Sequence, residues 1–129
     1  MYCRVIPVFL LSAALAAAAP SFSRDIRPIL QKRCQGCHQP ASKASDLDLT
    51  TFEAFQKGGK RGAAFVAGKP DESLALKYIS GSIQPRMPLG EPELPAQEVT
   101  LIKEWILDGA KNDSTAEPAI RRTSVYLQP

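Results

Sequence analysis

The chain has 129 residues, of which 44% are apolar and 22% are charged. This length fits a single domain, and the balance of apolar and charged residues excludes a chain that is disordered throughout. The formal net charge is +3, with lysine and arginine scattered among aspartate and glutamate, so the sequence does not carry the concentrated basic face of a nucleic-acid-binding protein.

The first eighteen residues differ in kind from the rest of the chain. Arg4 precedes an apolar stretch over residues 5–15, and a run of alanines follows. This order is typical of a secretory signal peptide, and the apolar stretch is too short to span a bilayer. We therefore predict that residues 1–18 are a signal peptide cleaved after Ala18. The mature protein is then expected in the periplasm or otherwise exported, without a stable membrane anchor.

The mature segment begins with a predicted helix that runs into a cysteine motif. Ile26, Ile29 and Leu30 recur at helical spacing, which places their side chains on one face. We predict Asp25 as the N-cap of this helix. Pro28 then falls in the first turn, where its missing N–H costs nothing.

Two further short helices are predicted in the middle of the chain. The first lies within TTFEAFQKGG, residues 50–59, and ends at the glycines. The second lies within DESLALKYISG, residues 71–81, with Asp71 as its cap and Gly81 at its end. Residues 60–70 between them predict a loop with a small apolar centre.

A proline-rich loop leads into the most regular helix. Residues 82–97, SIQPRMPLGEPELPAQ, contain four prolines and no periodicity, which predicts an extended loop. In the following AQEVTLIKEWILDGA, the residues Val99, Ile102 and Ile106 form one apolar stripe, with Trp105 beside it as a core residue. No apolar run suits a sheet. The sequence therefore predicts an all-α domain of short helices and loops.

Residues 34–38 read CQGCH, and four chemistries compete for this motif. Removal of Cys3 with the signal peptide leaves Cys34 and Cys37 as the only cysteines. A disulfide between them would stabilise little, because the loop it closes is very short. A dithiol enzyme uses the same spacing, but in a strand–helix context that this chain does not offer. A structural zinc site needs four ligands, and the sequence has no second cysteine pair and no second histidine.

Covalent haem attachment is the interpretation that fits the motif best. The two thiols add across the vinyl groups of a haem as thioethers, and their two-residue spacing in a helical turn matches the separation of the vinyls. His38 is then placed under the iron as its proximal ligand. Bacteria attach such haems outside the cytoplasm, in agreement with the predicted export. We therefore predict one haem c, bound covalently by Cys34 and Cys37.

Met87 is the predicted distal ligand of the iron. It is the only methionine left once the signal peptide is removed, and it lies between Arg86 and Pro88 on the predicted loop. Methionines that fill a core usually lie on an apolar helix face instead. A thioether ligand favours ferrous iron and raises the reduction potential, which suits electron transfer. A surface methionine beside an open iron is the alternative.

Three segments, FSRDIRPILQKRCQGCHQP, RMP and LIKEWILDGA, occur in the order found in class I c-type cytochromes. More narrowly, they resemble the cytochrome c domain of planctomycete-type secreted proteins, over residues 21–112. The resemblance implies the cytochrome c fold, in which N- and C-terminal helices cross and short helices and loops surround one covalently bound haem. It also implies the roles already predicted for the cysteines, the histidine and the methionine. At the crossing of the helices it implies contacts among Phe22, Ile26, Leu30, Trp105 and Ile106.

The predicted function is one-electron transfer to redox partner proteins, without enzymatic chemistry. Residues 113–129 predict a polar tail or a linker to a following domain, because such cytochrome domains are often one module of a longer protein. We expect a protein that is monomeric or part of a larger multidomain chain. The alternatives are a haem module whose open sixth site binds ligands or reacts with peroxide, and a haem-free thiol oxidoreductase.

Overall fold

The computed structural model describes residues 18–114, which form helices and loops. This part of the chain has no strand, only an isolated bridge between Gly59 and Gly62, so the all-α prediction is confirmed for it. None of its helices combines the length and the apolar character that a membrane crossing needs. Apart from Ala18, the predicted signal peptide lies outside the described residues, as do residues 115–129. The elements in chain order are a π-helical turn (Phe22–Ile26), α1 (Arg27–Arg33), a 3₁₀ turn (Ala44–Asp46), α2 (Phe52–Lys57), a second 3₁₀ turn (Pro70–Glu72), α3 (Leu74–Ile79) and α4 (Ala96–Leu107).

The first helix begins four residues earlier than predicted, and the prediction of Asp25 as its N-cap is wrong. Ser21 is the N-cap, and its side-chain oxygen accepts a hydrogen bond from the N–H of Arg24 at 3.1 Å. The carboxylate of Asp25 accepts in return from the N–H of Ser21 at 2.8 Å. Asp25 thus completes a reciprocal cap from inside the helix. Pro28 lies in the first turn of α1, directly after the wider π-helical turn.

Asp71 does not cap α3, so this prediction is also wrong. Asp71 lies inside the 3₁₀ turn that begins at Pro70, and Ser73 occupies the position before the helix. The hydroxyl of Ser73 is fully buried and does not cap the helix either. It accepts from the N–H of Val66 and donates to the carbonyl of Lys69, both at 2.9 Å. The Ser73 hydroxyl therefore links Val66 and Lys69 within the loop that precedes α3.

The core is built around Trp105, which is 1% exposed. The prediction of Trp105 as a core residue is therefore confirmed. Phe22 from the start of the chain lies 5.5 Å from Trp105 between ring centroids, and Phe65 from the middle loop lies 5.0 Å away. Phe55 of α2 stacks on the same ring at 6.0 Å with an interplanar angle of 12°. The five residues expected where the terminal helices meet all belong to this core: Phe22, Ile26, Leu30, Trp105 and Ile106.

The residues after α4 are fixed to the same core. The indole N–H of Trp105 donates to the carbonyl of Lys111 at 3.0 Å. Asp113 accepts from both the N–H and the hydroxyl of Ser23, at 2.8 and 2.9 Å. The end of the described chain is therefore bound to the beginning of the first helix.

Candidate functional site

The CQGCH motif continues the last turn of α1. The N–H of Cys34 donates to the carbonyl of Leu30 at 2.9 Å, which keeps the first cysteine attached to the helix. The N–H groups of Cys37 and His38 both donate to the carbonyl of Cys34, at 3.2 and 3.0 Å. One tight turn of the backbone therefore carries Cys34, Cys37 and His38.

The two thiols have different environments. Cys34 is half-buried and packs against the hydrophobic core, whereas Cys37 is exposed. Burial, and then the negative charge of Glu98, raises the pKa of Cys34 to about 11. Such a thiol is almost entirely protonated at neutral pH, and the protonated form is a poor nucleophile in disulfide exchange. This environment is unfavourable for the thiol oxidoreductase alternative.

The imidazole of His38 is oriented by a backbone acceptor. Its Nδ1 lies 3.0 Å from the carbonyl oxygen of Ala44. Because a carbonyl can only accept, this hydrogen bond requires a hydrogen on Nδ1, and in the neutral ring the lone pair of Nε2 is then free. Metal-binding histidines are commonly oriented in this way. Sequence reasoning missed the partner at position 44, since a backbone carbonyl has no side-chain signature.

The segment that supplies this carbonyl is held from two sides. Its own N–H at Ala44 donates to the carbonyl of Cys37 at 3.1 Å, so the segment folds back onto the motif. From outside, the N–H of Lys60 donates to the carbonyl of Ser45 at 2.9 Å. Lys60 belongs to the tight turn at 59–62. The acceptor of His38 is therefore fixed by contacts with both the motif and this turn.

The motif is also fastened to α4 by the residue that precedes it. The guanidinium of Arg33 makes two parallel hydrogen bonds to the carboxylate of Glu98, at 3.0 and 3.1 Å. Both side chains are less than one third exposed, and the bond joins positions 65 residues apart. Within the motif, the side-chain amide of Gln35 donates to the carbonyl of Leu49 at 2.9 Å. The cysteine turn is thus anchored at its start and in its middle.

Met87 lies on the loop between α3 and α4, as predicted, and is half-buried. Its N–H donates to the carbonyl of Tyr78 at 3.0 Å, which ties the loop to the end of α3. Over residues 18–114, no hydrogen bond joins this loop to the CQGCH motif. The structure therefore brings the two cysteines and the histidine together in one turn, and it holds the methionine on a separate loop.

Residues 34–89 match the family model described as Planctomycete cytochrome C. This segment is similar to that family. The resemblance predicted from the sequence is confirmed by this match. None of the curated proteins and none of the solved structures that were compared with the chain matches it.

The planctomycete cytochrome C segment begins at the first cysteine of the motif and ends two residues after Met87. It therefore contains all four side chains predicted to bind the haem, together with the acceptor at Ala44. The two elements that pack across the core from either end, α1 and α4, lie outside the match. Proteins of a cytochrome c family bind haem c covalently.

The side chains of the planctomycete cytochrome C segment fit such a group. Between residues 18 and 114, no three histidine, cysteine, aspartate or glutamate side chains cluster as a metal site, so the zinc alternative has no ligand set there. The potential donors are instead two thiols, one imidazole with its Nε2 free, and one thioether. A metal bound by so few protein ligands needs others, and a porphyrin supplies four nitrogens.

Two further side chains of the segment have buried polar atoms without a hydrogen-bond partner within the described chain. They are the hydroxyl of Tyr78 and the Nη1 of Arg86. Sequence reasoning gave Tyr78 no role in the site. The signal that was available for Arg86 is its position directly before Met87.

Proposed function

We propose that this chain is an exported mono-haem cytochrome, or a cytochrome domain, with His38 and Met87 as the axial ligands of the iron. The observation that carries the proposal is the hydrogen bond from Nδ1 of His38 to Ala44, inside a Cys-x-x-Cys-His turn. This bond gives the imidazole the tautomer that a metal ligand needs. When bound, the haem would supply a one-electron redox couple at the iron.

Cys34 and Cys37 would hold the haem covalently. Each S–H would add across one vinyl C=C bond, with the sulfur bonding to one carbon and the hydrogen to the other, so that no electron would be gained or lost overall. The protonated state of Cys34 at neutral pH is compatible with an addition in which the thiol supplies both atoms. The half-buried position of the Cys34 side chain directs the attachment toward the core.

Met87 would complete the axial pair. Sulfur is a soft ligand that stabilises ferrous over ferric iron, which raises the reduction potential. An iron with both axial positions filled has no vacant position for oxygen or peroxide. The cytochrome c arrangement, with terminal helices crossing behind the haem, is supported by the packing of Phe22 against Trp105 at 5.5 Å.

The expected partners are redox proteins that dock transiently. A shallow pocket beside the segment that orients His38 is lined by Lys43, Lys57 and Lys60, with Asp46 as the one acid. This positive rim would favour an acidic partner surface, because opposite charges raise the rate of encounter. Residues 113–129 would serve as a polar tail or as the link to a further domain.

Haem attachment is tested by expressing the full chain in a bacterial host that has a periplasmic haem-attachment system. We expect the exported protein to give a pyridine haemochrome spectrum with one haem per chain, and to titrate as a single one-electron couple. The Cys34→Ser and Cys37→Ser variants each lose a thioether, so the haemochrome spectrum should change toward that of a singly attached haem, or the haem should be lost. Wild-type protein without haem would refute the proposal.

The alternative with an open sixth site is tested on the same preparation. A Met-ligated iron is low-spin, shows a sulfur-to-iron charge-transfer band and binds carbon monoxide poorly. Rapid binding of carbon monoxide by the wild-type protein, or rapid reaction with peroxide, would favour the ligand-binding or peroxidase-like module instead.

A further inference from the structure

The hydroxyl of Tyr78 and the Nη1 of Arg86 are buried and unpaired within the described chain, and both residues adjoin Met87. Tyr78 accepts the N–H of Met87 through its own carbonyl at 3.0 Å, and Arg86 directly precedes Met87 in the chain. Nearly all buried polar side-chain atoms in proteins have a hydrogen-bond partner, which is sometimes a ligand. Two residues that adjoin the proposed distal ligand along the backbone therefore each have a polar atom that lacks a hydrogen-bond partner.

The charges around these atoms indicate that the missing partner is an anion. The guanidinium of Arg86 is cationic and its side chain is 32% exposed, but its Nη1 is buried, so a negative hydrogen-bond acceptor at that nitrogen is favourable. Its nearest acid is Glu93, but the carboxylate lies 3.6 Å from Nη1, beyond hydrogen-bond distance, and its side chain is 77% exposed. Solvent screens a carboxylate in that position, so the pair contributes little.

A second guanidinium adds to the positive charge around Tyr78. The guanidinium carbon of Arg61 lies 5.7 Å from the centre of the Tyr78 ring. Tyr78 thus has an unpaired hydroxyl on a ring whose face is covered by the cationic Arg61. A hydroxyl can donate one hydrogen bond and a guanidinium nitrogen can only donate, so both match the acceptor oxygens of a carboxylate.

We propose that Tyr78 and Arg86 together bind one propionate carboxylate of the haem, an inference that rests on the proposed haem function. The haem carries two such carboxylates, and one of them would satisfy both unpaired donors. The contact fixes the loop of Met87 to the haem at a second point. The position of the methionine then depends on this carboxylate as well as on its own bond to iron.

The test uses the haem-loaded full chain and two variants, Arg86→Gln and Tyr78→Phe. The matched control is Arg27→Gln, which removes the same charge from a guanidinium that lies over the ring of Phe22, 5.6 Å from its centre. The first readout is the propionate bending band in the resonance Raman spectrum, which shifts when a hydrogen bond to the carboxylate is lost. The second is the midpoint potential at a fixed neutral pH.

We expect Arg86→Gln to shift the propionate band and to lower the midpoint potential, because the loss of a nearby positive charge favours ferric iron. Tyr78→Phe should shift the band with a smaller change in potential, and Arg27→Gln should change neither. If Arg86→Gln does not accumulate haem, Arg86→Lys takes its place. Lysine keeps the charge and loses the guanidinium fork, so the band should still shift while the potential stays closer to the wild-type value.

Bands that match the wild type in every Tyr78 and Arg86 variant would overturn the inference. A free anion such as phosphate bound by these donors would give that result, because it would not touch the haem. This failure is distinguishable from failure of the haem function itself. In the first case the wild-type protein carries covalent haem, and in the second it does not, which overturns both proposals.

Discussion

At the scale of single residues, the chemistry of the site depends on which nitrogen of His38 carries hydrogen. The carbonyl of Ala44 requires it on Nδ1, and the lone pair on Nε2 is then available to a metal. The environment of Cys34 also limits the chemistry of the site. Its half-buried thiol stays protonated at neutral pH and has little tendency to exchange disulfides. These two environments favour a site that holds a cofactor over one that exchanges electrons through its own sulfurs.

The role proposed for Met87 predicts a specific gain of binding when the residue is removed. In Met87→Ala the iron loses its sixth ligand, so the charge-transfer band should disappear and carbon monoxide should bind rapidly. Leu89→Ala is a suitable control, because Leu89 lies on the same loop and its side chain is 68% exposed. The measurement is stopped-flow mixing of the reduced proteins with carbon monoxide.

The control should bind carbon monoxide as poorly as the wild type. If Met87→Ala keeps the charge-transfer band and still excludes carbon monoxide, Met87 is not the distal ligand. The covalent attachment would remain unaffected by that result, since it depends on Cys34 and Cys37.

At the scale of secondary structure, helices were predictable where a local pattern determines them. The stripe of Val99, Ile102 and Ile106 indicated α4 because its period depends only on nearby residues. The start of the first helix was mispredicted because Ser21 and Asp25 are both good capping residues, and the sequence alone does not tell which one caps. In the structure the Ser21 side chain accepts from the N–H of Arg24 as the N-cap, and Asp25 accepts from the N–H of Ser21.

Contacts between distant segments were not predictable in this way. The pair of Arg33 and Glu98 spans 65 residues, and that of Ser23 and Asp113 spans 90. Charged and polar residues of these kinds occur throughout the chain, and no periodicity selects one partner over another. The hydrogen-bond acceptor of His38 was not predictable for a different reason. It is the backbone carbonyl of Ala44, and the alanine side chain takes no part in the bond.

The ion pair of Arg33 and Glu98 is predicted to stabilise the packing of α1 against α4. Glu98→Gln removes the charge and keeps the shape, so it should lower the urea midpoint of the haem-loaded protein. Glu72→Gln is the matched control, because Glu72 pairs with Lys69 across one turn and both side chains are about 60% exposed. Exposed pairs contribute little, so the control should unfold at the wild-type midpoint. Equal midpoints for the two variants would contradict the prediction.

Two carboxylates that accept hydrogen bonds from the start of the first helix predict a loss of stability in acid. They are Asp25, inside that helix, and Asp113, after α4. The guanidinium of Arg24, and then the N–H of Ser21, lowers the pKa of Asp25. Burial alone would raise the pKa of Asp113, but hydrogen bonds from Ser21 and Ser23 outweigh it and lower the pKa. A lowered pKa stabilises the fold above the unfolded value of about 3.9, and this contribution is lost as the pH falls through the folded value.

Asp113→Asn should therefore reduce the free energy of unfolding at neutral pH by about 0.5 kcal/mol, after allowance for solvent screening. The difference from the wild type should shrink as the pH falls below about 4, where the wild-type carboxylate is protonated as well. Urea unfolding at a series of pH values measures both effects, with the exposed Asp71→Asn as control. A difference that grows on acidification would have the wrong sign for this account.

At the scale of the whole molecule, the chain closes on itself around a small aromatic core. Aromatic rings from three other parts of the chain pack around Trp105. The segment after α4 is bound to the first helix through Asp113. The CQGCH turn directly follows α1, and its first residue, Cys34, packs against this core. The Met87 loop lies between α3 and α4, so the two proposed haem ligands come from separate segments of the chain.

The central claim is that Cys34 and Cys37 carry one covalent haem, and the most direct measurement is the intact mass of the exported protein after denaturation. The account predicts the mass of the mature chain plus one haem, with no thiol left to react with an alkylating reagent. A mass equal to that of the bare chain, with two thiols that alkylate, would contradict it.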